Sequence, residues 1–203
     1  MTDPPPPPPA ADAARPAAGD ADLAARLAAG DAAALQEVID RWAGPVGRTV
    51  ARLVPDGAAE DCVQETFVKV WRNAGEFRGE SALSTWVFQV ALNVARDAGR
   101  KRRVRSAADR AAAASLHRPP HAPAAGSVCE AADGQDRVRR AVAALPAELR
   151  EPLALRHFGG RTVPETAAAL GLPQGTVKDR CARALAALRP ALARAGLDPR
   201  DDR

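Results

Sequence analysis

Residues 162–183, TVPETAAALGLPQGTVKDRCAR, carry the start, stop and turn signals of two short helices in succession. Thr162 and Glu165 stand at the spacing of a capping box, in which each side chain bonds the other residue's backbone N–H. Gly171 predicts the end of the first helix, because the left-handed conformation costs least without a Cβ. The second helix is predicted over about 174–188. This pattern restricts the C-terminal part of the chain to two successive helices with a tight turn, as in a helix-turn-helix unit.

The second of these helices has one apolar and one basic side. A helix-turn-helix unit places such a helix in the DNA major groove, although the same pattern also fits an ordinary pair of packed helices. The apolar side comprises Val177, Cys181, Leu185 and Leu188, and the basic side comprises Lys178, Arg180 and Arg183.

The composition favours helices throughout. Aromatic residues make up 3% of the 203 residues and tyrosine is absent, whereas strands favour β-branched and aromatic residues. We therefore predict an all-α protein with two small helical domains joined by a flexible linker. The net charge of +4 is uneven: residues 96–118 carry 8 Lys/Arg against 2 Asp/Glu, and residues 134–203 carry 13 against 8. Such basic segments indicate a polyanionic partner.

Cysteine and histidine give little support for metal or redox chemistry. The three cysteines lie far apart, which fits neither a disulfide framework nor paired metal ligands. His117, His121 and Cys129 could approach one metal ion, but a second nearby cysteine is lacking, and we expect no metal and no cofactor. The chain also lacks a signal-peptide pattern and a membrane-spanning run, so we expect a soluble cytoplasmic protein with no membrane insertion.

The chain divides into five parts by composition and periodicity. Asp20 and Asp31 are predicted N-caps of the first two helices, over 21–29 and 32–53, and Gly44 with Pro45 should bend or break the second. Asp56 and Gly57 are predicted to turn into a third helix, 58–73, which a polar loop, 74–83, separates from a fourth beginning at about Ser84. Later, Pro146 should start a helix that Pro152 kinks. The predicted parts are a proline-rich arm (1–19), a four-helix domain (20–105), a linker (106–133), a second four-helix domain (134–195) and a tail (196–203).

Three features of the first domain are candidates for function. Asp61, Gln64 and Glu65 lie on the polar side of the third helix, although an amphipathic surface helix needs no partner. Trp86 is either a core anchor or a platform for an unpaired base. Asn93 could bond a base edge, although a lone helical asparagine is more often only solvated. A basic run that suits phosphate contact follows. It consists of Arg96, Arg100, Lys101, Arg102, Arg103 and Arg105.

Taken together, EDCVQETFVKVW, FRGES, TWVFQVALN, LPAELREPLALRHF and GTVKDRCARAL resemble the extracytoplasmic-function (ECF) sigma factors of bacterial RNA polymerase. The resemblance covers roughly residues 20–105 and 135–190. It implies that 20–105 is sigma region 2, which binds core RNA polymerase and the minus-ten promoter element. It implies likewise that 134–195 is sigma region 4, which binds the minus-thirty-five element. It also implies regulation by an anti-sigma factor.

The resemblance assigns roles to individual residues. Asp61, Gln64 and Glu65 would bind the β′ clamp helices of the polymerase. The minus-ten element would be contacted by Arg78, Ser81, Trp86, Asn93, Arg96, Arg100, Lys101, Arg102 and Arg103. The minus-thirty-five element would be contacted by Thr176, Lys178, Asp179, Arg180, Ala182 and Arg183.

Departures from the family pattern bear on promoter sequence. Asp179 stands where the family commonly has Ser, and a carboxylate repels phosphate but can accept from cytosine N4. Pro173 replaces the usual Ser cap, and Ala182 is small where a larger residue is common. Cys62 stands where Leu is usual and fits a buried apolar position.

Two other classes of protein share part of this pattern. A helix-turn-helix regulator that binds duplex DNA without the polymerase accounts for the C-terminal half, but not for the combination of polar helix, Trp-bearing loop and basic run in the first half. A recombinase would need a catalytic domain with a nucleophile, and the three histidines, all at or beyond 117, leave little for acid–base chemistry. We therefore do not expect an enzyme.

Overall fold

The computed structural model describes residues 19–55, 57–115 and 130–194. Every regular element within these ranges is helical, so the predicted all-α class is confirmed. The predicted turn residue Asp56 and the arm 1–18 lie outside the described residues. The α-helices are α1 (Asp20–Ala28), α2 (Ala32–Leu53), α3 (Ala59–Arg72), α4 (Leu83–Ser115), α5 (Glu130–Ala144), α6 (Ala147–Leu153), α7 (Val163–Leu170) and α8 (Gln174–Arg194).

Local capping signals behave as predicted. Asp31 caps α2 by accepting a 2.8 Å hydrogen bond from the backbone N–H of Ala33. Thr162 and Glu165 form the reciprocal capping box at the start of α7. Gly171 ends α7 in the left-handed conformation, with φ at 64°. These contacts lie within a few residues of each other, so a local pattern is enough to predict them.

Asp20 does not cap α1, which is a correction to the prediction. Gly19 is the N-cap of α1, and Asp20 is only 6% exposed in the first turn. Its Oδ2 atom accepts a 3.0 Å hydrogen bond from the backbone N–H of Leu83, at the start of α4. Asp20 therefore stabilises the beginning of a helix that lies 63 residues later in the chain.

We expect Asp20→Ala to lower the free energy of unfolding by about 0.5–2 kcal/mol, since it removes a side chain that serves as a helix cap. Chemical denaturation followed by circular dichroism measures this change. Asp20→Asn, which keeps a good capping oxygen, should retain most of the stability. The exposed neighbour Asp22 supplies the control, because Asp22→Ala should change stability by less than about 0.5 kcal/mol. Equal losses in the variants at 20 and 22 would contradict the capping role.

Pro45 does not break α2, which continues from Ala32 to Leu53. Val46 and Val50 are fully buried on the following turn, and the Thr49 hydroxyl donates a 2.9 Å hydrogen bond to the Pro45 carbonyl. Pro152 likewise lies inside α6, and the chain continues as a π-helical turn over Ala154–Phe158 directly after Leu153. Tertiary packing holds both segments helical despite the missing proline N–H groups.

The helices enter further into the predicted linker than expected. α4 continues to Ser115, ten residues past the predicted boundary at 105, and α5 begins at Glu130. Alanine dominates residues 107–114 and has the highest helix propensity. Composition therefore assigned residues 107–114 to the linker, although they continue α4.

Two groups of buried apolar side chains form the core. The larger group joins α1–α4 around Val46, Leu83 and Phe88, and the smaller joins α5, α6 and α8 around Leu153 and Leu188. On α8, Val177 and Ala184 are fully buried, whereas Leu185 is 38% exposed. Leu185, on the predicted apolar side, therefore lies at the edge of the core, and its neighbour Ala184 is the residue that is buried there.

The second half of the chain packs directly onto the first. Leu155 from the π-helical turn and Ala169 from α7 belong to the larger core group. The Arg48 guanidinium donates to the Phe158 carbonyl at 3.2 Å, and the Gln89 amide donates to the Ala168 carbonyl at 3.0 Å. The two predicted domains are therefore in direct contact through buried side chains and hydrogen bonds.

Candidate polymerase and nucleic-acid interfaces

The polar side of α3 is exposed as the sequence predicts. Asp61, Gln64 and Glu65 all lie at the surface, while Cys62 and Phe67 on the opposite side are buried. Glu65 forms a 3.0 Å ion pair with Lys69, and Lys69 also lies 3.9 Å from Asp97 on α4. An acidic and amide-bearing edge is therefore displayed on one rigid helix, beside the start of the basic run on α4.

Trp86 is partly anchored in the core and partly accessible. Its side chain is half-buried and packs against Phe77 with ring centroids 5.6 Å apart and planes tilted by 53°. The preceding loop exposes Arg78, and the half-buried Ser81 hydroxyl donates to the Ala82 carbonyl at 3.4 Å. The tilted contact holds the indole in a fixed orientation, while its outer part is left accessible.

A stripe of polar and basic residues runs along α4. Asn93, Arg96, Arg100 and Arg103 recur at intervals of three and four residues, so they share one side of the helix. All four are exposed, and Arg100 is paired with Asp97. The exposed Lys101 and Arg102 flank the stripe. A surface of this kind suits the backbone of a nucleic acid.

Arg96 is engaged by the second half of the chain. Its Nε and Nη2 atoms donate to the two carboxylate oxygens of Glu151 at 2.9 and 2.6 Å. The Arg96 side chain is 40% exposed and that of Glu151 is 15% exposed. The carboxylate raises the pKa of Arg96, with burial opposing it. This paired geometry is the strong form of an arginine–carboxylate contact, and it uses the same N–H groups that a phosphate would need.

Sequence reasoning missed Glu151 and Gln89 as partners across the two halves. Glu151 lies on α6, 55 residues after Arg96, and Gln89 bonds a carbonyl on α7. The guanidinium groups of Arg52 and Arg161 also stack on Phe158 and Phe88, at 4.6 and 4.9 Å from the ring centroids. No local spacing indicates such contacts, because they depend on how the two halves meet.

The basic side of α8 is exposed. Lys178, Asp179, Ala182 and Arg183 are exposed, while Thr176 and Arg180 are half-buried. Arg183 lies 3.6 Å from Asp179, with side chains 62% and 63% exposed. An exposed ion pair of this kind contributes little to stability, so separating Arg183 from Asp179 costs little.

An apolar groove of about 770 Å³ lies between α2 and α3. Sequence reasoning did not predict it, although four-residue spacing of apolar residues on both helices was a usable signal. A smaller hollow of about 350 Å³ shares Val63 and Gln64 with it and continues toward Gly47 and Ala59. The larger groove is lined by Leu35, Ile39, Ala43, Val63, Gln64, Phe67, Val68, Trp71 and Arg72.

Metal and thiol chemistry find no support in the described part of the chain. No cluster of three or more potential metal ligands occurs within it, and the trio His117, His121 and Cys129 lies outside it. Burial is the main cause that raises the pKa of the Cys62 and Cys181 thiols. Among the helices of residues 19–55, 57–115 and 130–194, none is long and apolar enough to cross a membrane.

Most of the chain matches two protein-family models. The family model described as Sigma-70 region 2 matches residues 38–105, which include α3 and the basic run of α4. The model described as Sigma-70, region 4 matches residues 135–188, which include the helix-turn-helix unit. The two matches fall on the two predicted domains in the predicted order.

Individual proteins agree with these matches. The chain is 32% identical over 181 residues to the ECF RNA polymerase sigma-E factor of Escherichia coli K12, covering 83% of this chain and 92% of that protein. It is 32% identical over 180 residues to the RNA polymerase sigma-H factor of Pseudomonas aeruginosa, covering 85% and 93%.

Two solved structures share the fold. CnrH in complex with the cytosolic domain of CnrY matches with a TM-score of 0.66 and 26% identity, covering 87% of this chain and 98% of CnrH. The sigma factor RpoE of Bartonella quintana, in complex with the anti-sigma factor NepR, matches with a TM-score of 0.60 and 25% identity, covering 83% and 98%. The matched regions, their order and the shared fold show that this chain belongs to the ECF sigma factors of bacterial RNA polymerase.

Proposed function

We propose that this sigma factor divides promoter recognition between its two halves. Residues 20–105 bind core RNA polymerase and the minus-ten element, and residues 134–195 bind the minus-thirty-five element. The observation that carries the proposal is the presence of three separate exposed surfaces on one chain. These are the polar edge of α3, the basic stripe of α4 and the basic side of α8. The polymerase itself makes the RNA, so the chain needs no catalytic residue, and it acts where the polymerase acts, in the cytoplasm.

The polar edge of α3 is the proposed contact with the β′ clamp helices. Asp61, Gln64 and Glu65 project from one rigid helix whose opposite side is fixed in the core. Because the helix backbone is already fixed, binding has to order only the side chains, which favours affinity.

The α4 stripe with Trp86 is the proposed minus-ten site. Melting requires a base to leave the stack, at a cost of a few kcal/mol, and stacking on an aromatic ring returns about 1–3 kcal/mol per base. Trp86 offers a fixed ring, Arg78 and Ser81 border it in the preceding loop, and Asn93 can pair with a base edge. Arg96, Arg100, Lys101, Arg102 and Arg103 would then hold the backbone.

The basic side of α8 is the proposed minus-thirty-five site. Arg183 has the planar fork that fits guanine or phosphate in two hydrogen bonds, and Lys178 adds a phosphate contact. Thr176, Asp179, Arg180 and Ala182 complete the surface, with Asp179 able to accept from cytosine N4.

An anti-sigma factor is the proposed regulator. CnrH and the Bartonella quintana RpoE were both solved as complexes, the latter with a protein named as an anti-sigma factor, and this chain shares their fold. Such a partner would block transcription by covering the polar edge of α3.

Transcription by core polymerase tests the proposal. Core enzyme supplemented with this protein is expected to start transcription at new sites on genomic DNA fragments, which run-off assays and start-site mapping detect. If the protein formed a dimer on palindromic duplex DNA and did not elute with core polymerase, a separate helix-turn-helix regulator would be the better description.

Replacing both Gln64 and Glu65 by alanine should weaken core binding by about tenfold or more, because two polar contacts at an interface are worth on the order of 1–3 kcal/mol together. Fluorescence anisotropy of labelled protein titrated with core polymerase measures the affinity. Arg183→Ala, which changes a different surface, should leave core affinity unchanged. Equal loss of core binding in both proteins would contradict the division between the two halves.

A further inference from the structure

The groove between α2 and α3 is built from two ladders of apolar side chains. Leu35, Ile39 and Ala43 follow one another at four-residue intervals on α2, and Val63, Phe67 and Trp71 do so on α3. Val68 at its edge is 46% exposed, and within residues 19–55, 57–115 and 130–194 no side chain fills the groove. Phe67 is 7% exposed and forms the floor of the groove, while most of the other apolar lining side chains are partly exposed. A contiguous apolar surface that is accessible in this way marks a binding site.

The groove also has the polar groups that a proline-rich segment needs. A polyproline II helix has no internal hydrogen bonds, so its carbonyl groups remain available as acceptors, and such helices bind in aromatic-lined grooves. Phe67 and Trp71 provide the aromatic lining. The Trp71 indole N–H, the Gln64 amide and the Arg72 guanidinium can donate. Within the described part of the chain, Trp71 and Gln64 make no side-chain hydrogen bond.

We propose that the six-proline run of this chain, Pro4–Pro9, occupies the groove. The run lies in the arm that precedes α1, outside the described residues. Six prolines in the polyproline II conformation span about 19 Å. The α3 side of the groove, from Val63 to Trp71, is about 12 Å long at the helical rise per residue. The run is therefore long enough to cover the aromatic ladder.

The point where the arm meets the folded domain also suits this occupant. The arm joins α1 at Asp20, and α1 packs against the turn Ala74–Glu76, which directly follows the Trp71 end of α3. Nine residues lie between Pro9 and Gly19, and the ten Cα-to-Cα steps across them reach up to about 35 Å when extended. The helix that carries the arm therefore packs beside the segment that follows the Trp71 end of α3, and the groove is within reach of the arm.

Docking of the arm would compete with the polymerase, a consequence that rests on the proposed function of α3. Gln64 lines the groove and also belongs to the proposed core-binding edge. A tethered segment acts at an effective concentration on the order of 1 mM. If the arm leaves the groove open about one-fifth of the time, only that fraction of the protein can bind core polymerase. The apparent affinity for core polymerase is then about fivefold weaker.

Indole N–H resonances in NMR spectra of the full chain test the docking directly. The chain has three tryptophans, Trp42, Trp71 and Trp86, and Trp71→Phe identifies the Trp71 signal. The wild-type chain is compared with a variant in which residues 4–9 alternate glycine and serine. A matched control keeps the composition of residues 2–18 but separates every proline from the next. In both variants the Trp71 signal should shift, while those of Trp42 and Trp86 should not.

The proposal is overturned if the three indole signals coincide in all three proteins, or if only the glycine–serine variant shifts, since the proline run itself would then be unnecessary. Core affinity is measured on the same proteins, and the glycine–serine variant should bind about fivefold more tightly. If Trp71 shifts but no protein binds core polymerase, the docking stands and the proposed function fails. If all bind core polymerase and Trp71 does not shift, the proposed function stands and the docking fails.

Discussion

Gly159→Ala is expected to weaken the packing of the second half of the chain onto the first. Gly159 has φ at −84°, a conformation that alanine adopts readily, so the effect is steric. A Cβ atom there would lie 2.8 Å from Thr49 Oγ1, 2.8 Å from the Leu155 carbonyl oxygen and 3.0 Å from Phe88 Cε1. Thr49 and Phe88 belong to the buried interior of the first half, so neither can move aside cheaply.

The cost of such overpacking is about 1–3 kcal/mol. Arg48, Gln89 and Arg96 each form hydrogen bonds with the second half. Each of these contacts stabilises the packing of the two halves by an amount in the same range. We therefore expect the melting temperature to fall by about 2–10 °C. We also expect the radius of gyration from small-angle X-ray scattering to increase, with little change in helical circular dichroism.

Gly99→Ala is the matched control for Gly159→Ala. Gly99 lies inside α4, and a Cβ atom there would meet nothing within 4 Å, so the change should leave the solution dimensions unaltered and stabilise the helix slightly. A Gly159→Ala protein with the wild-type radius and melting temperature would contradict the tight approach at this position.

The packing of the second half onto the first also affects DNA binding, because it engages Arg96. In the packed arrangement its guanidinium is held by Glu151, and it cannot simultaneously offer the same N–H groups to a phosphate. Gly159→Ala should therefore increase the affinity of the free protein for a single-stranded minus-ten oligonucleotide, as measured by fluorescence anisotropy. The change should be absent when Arg96 is also replaced by alanine.

Arg183→Ala should reduce transcription from promoters that depend on the minus-thirty-five element by about tenfold or more. A bidentate arginine contact with guanine is worth on the order of 1–3 kcal/mol of discrimination, and alanine removes it without disturbing the core because the arginine is exposed. Its ion pair with Asp179 is exposed as well, so its loss should leave the melting temperature almost unchanged. Run-off transcription on promoters with intact and scrambled minus-thirty-five elements measures the effect.

Arg189→Ala controls for the loss of positive charge from the same helix. Arg189 is exposed on α8, and six residues beyond Arg183 it points to a different side. The Arg189→Ala protein should support nearly normal transcription. If the two variants lost activity equally, or if Arg183→Ala also lost core binding, the assignment of Arg183 to the minus-thirty-five element would fail.

The sequence by itself determined the elements whose causes are local. The capping box of Thr162 and Glu165, the stop at Gly171 and the amphipathic pattern of α3 each depend on residues within a turn or two of one another. The family motifs likewise lie within short segments, so the two halves and their order could be identified before any packing was known. The exposed positions of Asp61, Gln64, Lys178 and Arg183 follow from the helical period alone.

Tertiary structure decided the features in which distant parts of the chain meet. Asp20 has the side chain of an N-cap but caps α4, because α1 brings it to Leu83. Arg96 has the side chain of a phosphate ligand, yet it binds Glu151 because the second half packs onto α4. Leu185 fits the apolar period of α8, and Ala184 is buried in its place. Periodicity specifies which residues share a side of a helix, but only the packing of α8 against its neighbours fixes which part of that side is covered.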